Sequence, residues 1–256
     1  MKRTNWYLQT ALTAIVLGAF GCGGSSSDGQ DPCTALKIAG GEECEERPLS
    51  VAVVATNFGY CTGTFITQRH VLTAAHCIPA YGQELVVATK GFSTKTTMTR
   101  IHPNYERGSF SPFDIAIVTI GTDAPVGPAK IELSREPQKG DTAVAYGYGL
   151  DQDGRDVVRR VQDGGYALKA TDIEIDSVSD ASIDTISNGD GDTCSGDSGG
   201  PIVFQGGDQE YGIVAIVRSG PNTCEPNIGL PGQNTNLQAQ SILDFVTSAA
   251  PGVQFN

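Results

Sequence analysis

The chain predicts an all-β fold, and two observations carry that expectation. Turn-forming residues are dense, with 32 glycines and 13 prolines in 256 residues. The apolar runs between them are short and β-rich rather than long and helically periodic. Val51-Ala52-Val53-Val54-Ala55 is the first such run, and Glu84 to Ala88 follows. Ile115 to Ile120, Ala143 to Tyr148 and Gly212 to Val217 complete the series, each bounded by turn residues. One segment differs. Ser241 to Ala249 carries Ile242, Phe245, Val246 and Ala249 at helical spacing, which predicts a helix. No internal repeat is visible.

The residues ahead of the first strand are of another kind. Lys2 and Arg3 precede a short apolar stretch from Ala11 to Phe20, too short to span a bilayer comfortably, and small residues follow. This is the plan of a secretory signal peptide over residues 1–21. Ala19-Phe20-Gly21-Cys22 resembles a bacterial lipoprotein signal, in which Cys22 becomes the lipidated first residue, although Ala19 stands where that pattern usually has Leu. A glycine- and serine-rich tether and propeptide then occupy residues 22–37. The alternative is an ordinary cleaved signal with a free Cys22. Either way the expected location is outside the cytoplasm, lipid-anchored in a bacterial envelope or secreted.

Net charge is −12, and −14 once Lys2 and Arg3 are removed with the signal. So acidic a chain is a poor binder of nucleic acid or anionic surfaces, and neither is expected as a partner. The acidic run Asp151-Gln152-Asp153-Gly154-Arg155-Asp156 lacks the spacing of a calcium-binding EF-hand loop. No metal and no cofactor is expected.

Chemistry concentrates in Asp192-Thr193-Cys194-Ser195-Gly196-Asp197-Ser198-Gly199-Gly200-Pro201. Glycines on both sides of Ser198 allow a sharp turn and a close approach of the backbone to a substrate. Such a turn aims Ser198 Oγ at a carbonyl and points the Gly196 and Ser198 N–H groups at the developing oxyanion. A serine hydroxyl needs a positioned base, and the base needs a buried carboxylate to fix its tautomer. Leu72-Thr73-Ala74-Ala75-His76-Cys77 and Phe113-Asp114-Ile115-Ala116-Ile117 supply both. The other histidines, His70 in a polar stretch and His102 before Pro103, are expected at the surface.

With His76, Asp114 and Ser198 in that order, the chain from about Ile38 to Ala250 resembles a trypsin-like serine protease of the chymotrypsin fold. The resemblance implies His76 as general base, Asp114 as orienting carboxylate, Ser198 as nucleophile, and Gly196 with Ser198 as the oxyanion hole. It implies two six-stranded antiparallel barrels within a peptidase domain at 38–256. The first spans about 38–133 and the second about 134–238, with a C-terminal helix at about 239–250. Some 220 residues is an ordinary size for such a unit.

Seven cysteines are an odd number, and setting Cys22 aside leaves six. The resemblance pairs Cys61 with Cys77 around the histidine loop, and Cys194 with Cys224 at the pocket wall. Cys44 lies where many relatives bridge to the second barrel, but no partner exists there, which leaves Cys33 with Cys44. Lys37-Ile38-Ala39-Gly40-Gly41 resembles the family's activation site. Cleavage after Lys37 frees the Ile38 amine to pair with Asp197, and a Cys33–Cys44 bridge spans the cut.

Specificity is read two ways. Asp192 stands six residues before Ser198, where trypsin-like relatives carry the carboxylate that selects Arg or Lys, and Gly232 matches a glycine lining that pocket. After Gly212-Ile213-Val214 the family usually continues Ser-Trp-Gly, whereas this chain reads Ala215-Ile216-Val217. Ala215 lacks a hydroxyl that helps the buried aspartate, and Val217 narrows the pocket as in elastase-like relatives. Trp6 is the one tryptophan and lies in the signal, and Gly147-Tyr148-Gly149 replaces a family Gly-Trp-Gly. These losses suggest a distant bacterial branch. The expected function is a monomeric zymogen of a serine endopeptidase acting on protein or peptide substrates with Arg or Lys before the cut. The rival is a non-catalytic binding protein on the same scaffold, which leaves the complete triad without a purpose.

Overall fold

The computed structural model describes residues 50–57, 59–80, 84–89, 91–150, 168–187, 191–204, 212–220, 224 and 231–256. Cys22, Cys33, Lys37, Ile38, Cys44 and the acidic run at 151–156 lie outside the described residues.

Six strands close the first barrel: β1 (Val51–Thr56), β2 (Gly59–Phe65), β3 (His70–Thr73), β4 (Val86–Thr89), β5 (Phe92–Ile101) and β6 (Ala116–Ile120). Around the ring they run β1-β2-β3-β6-β5-β4. A two-residue strand, β7 (Lys130–Ile131), then leads to the second barrel. That barrel consists of β8 (Thr142–Gly147), β9 (Lys169–Val178), β10 (Ser182–Ser187), β11 (Pro201–Phe204), β12 (Gly212–Ser219) and β13 (Gly232–Asn236). Its order is β11-β8-β9-β10-β13-β12, closed by pairing of β12 with β11. Every barrel pairing is antiparallel, while β7 adds to the outer side of β12 in parallel. Helix α1 (Gln240–Ala249) completes the two-barrel, chymotrypsin-like fold.

The apolar runs are explained by burial on both strand faces. Successive side chains point to opposite faces. In β1, Ala52 and Val54 fill the first barrel, while Val51 and Val53 face a core shared between the barrels. In β8, Ala143 and Ala145 fill the second barrel, while Val144 and Tyr146 face the same shared core. With no solvent face, neither strand shows polar alternation. β5 is the opposite case, Phe-Ser-Thr-Lys-Thr-Thr-Met-Thr-Arg-Ile, half-exposed and without an apolar run. α1 buries Ile242, Val246 and Ala249 in the shared core.

β12 carries two irregularities. Opposite β11, Ile202 pairs with Ala215 and Val203 with Ile213, so Val214 is the extra residue of a bulge. Opposite β13, Val217 pairs with Asn234 and Ser219 with Gln233, so Arg218 is the extra residue of a second. Bulges bend a strand and re-aim its side chains.

His102 is not at the surface, contrary to the sequence expectation. It is 4% exposed, its ring stacked on Phe113 at 4.9 Å and meeting Phe245 edge-on. Burial pushes its pKa down, and a neutral imidazole packs as a flat, largely apolar ring. The stack fixes the residue immediately before Asp114. His70 is half-buried, with Nδ1 2.8 Å from Thr67 Oγ1.

Candidate active site

β3 ends at Thr73, and a single 3-10 turn, Ala75–Cys77, presents His76 with its side chain 37% exposed. The Cys61–Cys77 disulfide ties that turn to β2. Asp114 lies in the segment entering β6 and is 5% exposed. His76 donates its backbone N–H to Asp114 Oδ1 at 2.8 Å, and its Nδ1 lies 2.7 Å from Asp114 Oδ2. Both carboxylate oxygens thus hold one residue. With Nδ1 donating, Nε2 is left as the basic nitrogen. Thr235 of β13 donates to the Asp114 carbonyl at 3.2 Å, so the second barrel braces this segment.

Ser198 sits on the turn entering β11. Gly196 has φ +101° and Gly199 φ +80°, in the region that side chains resist. A side chain at Gly199 would also collide with Thr73 and Thr62, and would come within 2.7 Å of the Ala74 nitrogen. This close approach sets the Ser198 turn against the histidine loop of the other barrel. Thr62 of β2 organises the contact in three bonds. Its N–H donates to the Ser198 carbonyl at 2.9 Å, its hydroxyl donates to the Gly196 carbonyl at 2.8 Å, and that hydroxyl accepts the Tyr148 N–H at 3.0 Å. Sequence reasoning did not find Thr62; its one mark is that it follows Cys61.

Asp197 is fully buried. Gly149 N–H donates to Oδ1 at 2.7 Å and Cys194 N–H to Oδ2 at 2.8 Å. Burial pushes its pKa up to about 7 against the pull of those two bonds and of Lys169. Gly147 and Gly149 leave room for it, since a side chain at either would meet the carboxylate.

Asp192 is 6% exposed and accepts its neighbour's N–H, from Thr193, at 2.7 Å. Burial raises its pKa, an effect the Thr193 bond opposes. The Cys194–Cys224 disulfide fastens the adjoining segment. Gly232 lies beside Thr185 and Ser219.

The opposite wall differs from the sequence expectation. Val217 is 1% exposed in the interior of the second barrel, and Ala215 lies there too, while Ile216 belongs to the shared core. All three side chains are buried in these cores. Gly199 donates to the Val217 carbonyl, and Val217 donates to the Gly200 carbonyl, which fixes the strand against the Ser198 turn. The strand emerges three residues later, as Arg218-Ser219-Gly220. A Cβ on Gly220 would lie 2.8 Å from the Thr193 carbonyl oxygen, directly across from the residue after Asp192. The extra residues at Val214 and Arg218 mean that side chains along β12 do not alternate strictly between its faces.

Arg218, also missed, is 6% exposed and donates from one terminal nitrogen to the Ser111 carbonyl at 3.2 Å and to Ser182 Oγ at 3.3 Å. Burial lowers its pKa, with Asp114 and Asp184 opposing that shift. Among the described residues, one cluster has metal-ligand atoms close together, Cys61, His76 and Cys77, and both sulfurs are consumed by the disulfide.

Residues 38–241 match the family described as Trypsin. The chain is 32% identical over 133 residues to a trypsin of Saccharopolyspora erythraea, covering 46% of this chain and 57% of that one. It is 28% identical over 245 residues to a venom serine protease of Polistes dominula, covering 84% and 86%. It therefore spans a little over half of the first relative and most of the second. Among solved structures it is similar to neuropsin, a serine protease expressed in the limbic system of mouse brain. That likeness has a TM-score of 0.66 at 20% identity, over 82% of this chain and 99% of the other, and speaks to the fold.

Proposed function

The chain belongs to the trypsin family of serine endopeptidases, and from that membership we propose that it cleaves proteins after Arg or Lys through an acyl-enzyme. One observation carries the reading: His76 is gripped through two bonds by a buried Asp114, with the Ser198 turn packed against the same loop. Ser198 Oγ attacks the carbonyl carbon while His76 Nε2 takes its proton. The Gly196 and Ser198 amides receive the oxyanion, and His76 returns the proton to the leaving amine. Water then repeats the sequence on the ester. Asp192 supports the basic preference, because a buried carboxylate recovers its desolvation cost only from a charged partner. The inward-facing Val217 removes the reason for expecting a narrowed, elastase-like pocket.

Covalent labelling tests the chemistry. A sulfonyl fluoride probe is expected to modify Ser198 alone among the serines, and to leave the His76→Ala variant unlabelled. An unlabelled wild-type protein beginning at Ile38 would turn the reading toward a binding protein.

Cleavage after Lys37 is the proposed activation step, with the Ile38 ammonium as partner of Asp197. Supporting this, Asp197 is fully buried and its pKa is held near 7. Without that ammonium, the folded chain holds a proton that the unfolded chain releases between about pH 4 and pH 7. The uncleaved form therefore loses stability as pH rises through that window, whereas an ammonium partner lowers the folded pKa and removes the loss. Denaturant midpoints of the Ser198→Ala protein, cleaved and uncleaved, are expected to differ more at pH 8 than at pH 5. An equal gap at both values would sink the switch.

The further parts of the proposal are export directed by residues 1–21, a lipid anchor at Cys22, and a Cys33–Cys44 bridge holding tether to enzyme after cleavage. The two disulfides in the barrels fit an oxidising compartment.

A further inference from the structure

A cavity of about 650 Å³ opens beside the catalytic cleft, lined by Phe110, Pro112, Ala181, Asp184, Arg218 and Gln233 among others. It adjoins the site on two sides. Pro112 is two residues before Asp114, and Arg218 is two residues before Gly220, whose backbone faces Thr193. The Arg218–Gly220 end of β12 thus joins the segment facing Thr193 to this cavity. A substrate held with its basic side chain against Asp192 would lay its preceding residues beside that strand end and within reach of the cavity. We propose that Arg218 is a specificity-determining residue that selects an acidic side chain two to four positions before the cut. The proposal rests on the protease reading above and names the second feature of its substrates.

The chemistry of the occupant follows from what Arg218 lacks. Arg218 is 6% exposed, yet its two bonds go to neutral oxygens, of Ser111 and Ser182. Its Nε is buried with no hydrogen-bond partner. Among the described residues no carboxylate lies within ion-pair distance of it. Asp114 and Asp184 act on it through space without a hydrogen bond, so an anion delivered with the substrate supplies the charged acceptor that the guanidinium lacks. Arg218 is the extra residue of that β12 bulge, and it lines this cavity. Two carboxylates share the cavity: Asp180 is exposed on the β9–β10 turn, and half-buried Asp184, whose charge acts on Arg218, accepts from Ser177 Oγ at 2.9 Å. Phe110, 83% exposed, forms an apolar lip that covers the stem of an entering side chain.

The test uses peptides with Arg before the cut and Glu, Gln or Lys at each of the three positions upstream. Two readouts run in parallel: hydrolysis by the activated protein, and binding to the Ser198→Ala protein by fluorescence anisotropy. Glu is expected to exceed Gln by about tenfold in both at one of the positions, with Lys weakest. The preference is expected to shrink at 1 M salt and to vanish in Arg218→Gln. Glu and Gln alike, or Lys strongest, overturns the proposal, the latter by assigning the cavity to Asp180, Asp184 and the Phe110 ring. If Arg218→Gln fails to fold, the Glu-to-Lys ratio and its salt dependence in the parent protein decide alone. Glu-dependent binding without hydrolysis would sink the protease reading and leave this one standing; hydrolysis without Glu preference would do the reverse.

Discussion

Asp114→Asn is expected to lower kcat roughly 10⁴-fold while KM and thermal stability change little. Asp114 accepts two hydrogen bonds from one residue, the His76 backbone N–H at Oδ1 and the ring at Oδ2. An asparagine keeps its carbonyl toward one of these donors and turns an NH₂ toward the other. If the backbone bond is retained, the amide faces Nδ1 and forces the proton onto Nε2. The nitrogen that must accept the Ser198 proton is then already occupied. Shape is preserved and the tautomer is wrong, so the loss falls on the chemical step. Single-turnover kinetics on an Arg ester would show a slowed acylation. A loss confined to KM would refute the assignment of Asp114 as the orienting group.

The second large effect is at Asp192. Asp192→Ser is expected to reduce kcat/KM for Arg and Lys substrates by roughly 10³-fold, because the substrate cation then enters a buried site with no countercharge. Rates on substrates with Ala or Val before the cut should move little, since those side chains do not reach the pocket base. The same panel run on the parent protein separates the two sequence readings. Arg and Lys fast, with Ala and Val slow, agrees with Val217 facing the barrel interior; the inverse pattern would mean that Asp192 is buried out of a substrate's reach.

The fold was legible where strands are buried on both sides. β1, β6, β8 and β12 read as apolar runs because one face fills a barrel and the other the shared core. β5 and β13 were not legible, because Phe92–Ile101 is half-exposed and Gln233-Asn234-Thr235-Asn236 buries polar side chains through hydrogen bonds. The chemistry of the site was legible because His76, Asp114 and Ser198 each need particular neighbours: an apolar strand before the histidine, another after the aspartate, glycines around the serine. The pocket wall was harder to read, because the position of Ala215-Ile216-Val217 rests on matching Gly212-Ile213-Val214 to the family's motif. The structure instead buries Val217 in the second barrel, and the bulges along β12 leave no trace in composition. Thr62 and Arg218 escaped on different grounds, since a threonine next to a cysteine and an arginine at a strand end are ordinary in sequence. Their importance arises from what the opposite barrel brings to them.

The shared core between the barrels has a consequence for how this enzyme tolerates change. His76 and Asp114 belong to one barrel and Ser198 to the other, so base and nucleophile are joined only by contacts that cross between the barrels, the Thr62 bonds and the close approach at Gly199 among them. Beneath those contacts the separation also rests on side chains such as Val53, Ile117, Val144 and Ile216, which pack in the shared core away from the triad. A conservative trim in this seam, an isoleucine to a valine, removes one methyl group and lets two rigid bodies settle slightly closer or tilt. Such a protein would pass every test of folding and still turn over slowly. Random mutagenesis scored by activity should therefore mark a continuous band of intolerant positions along the seam, while barrel interiors at equal burial accept the same substitutions.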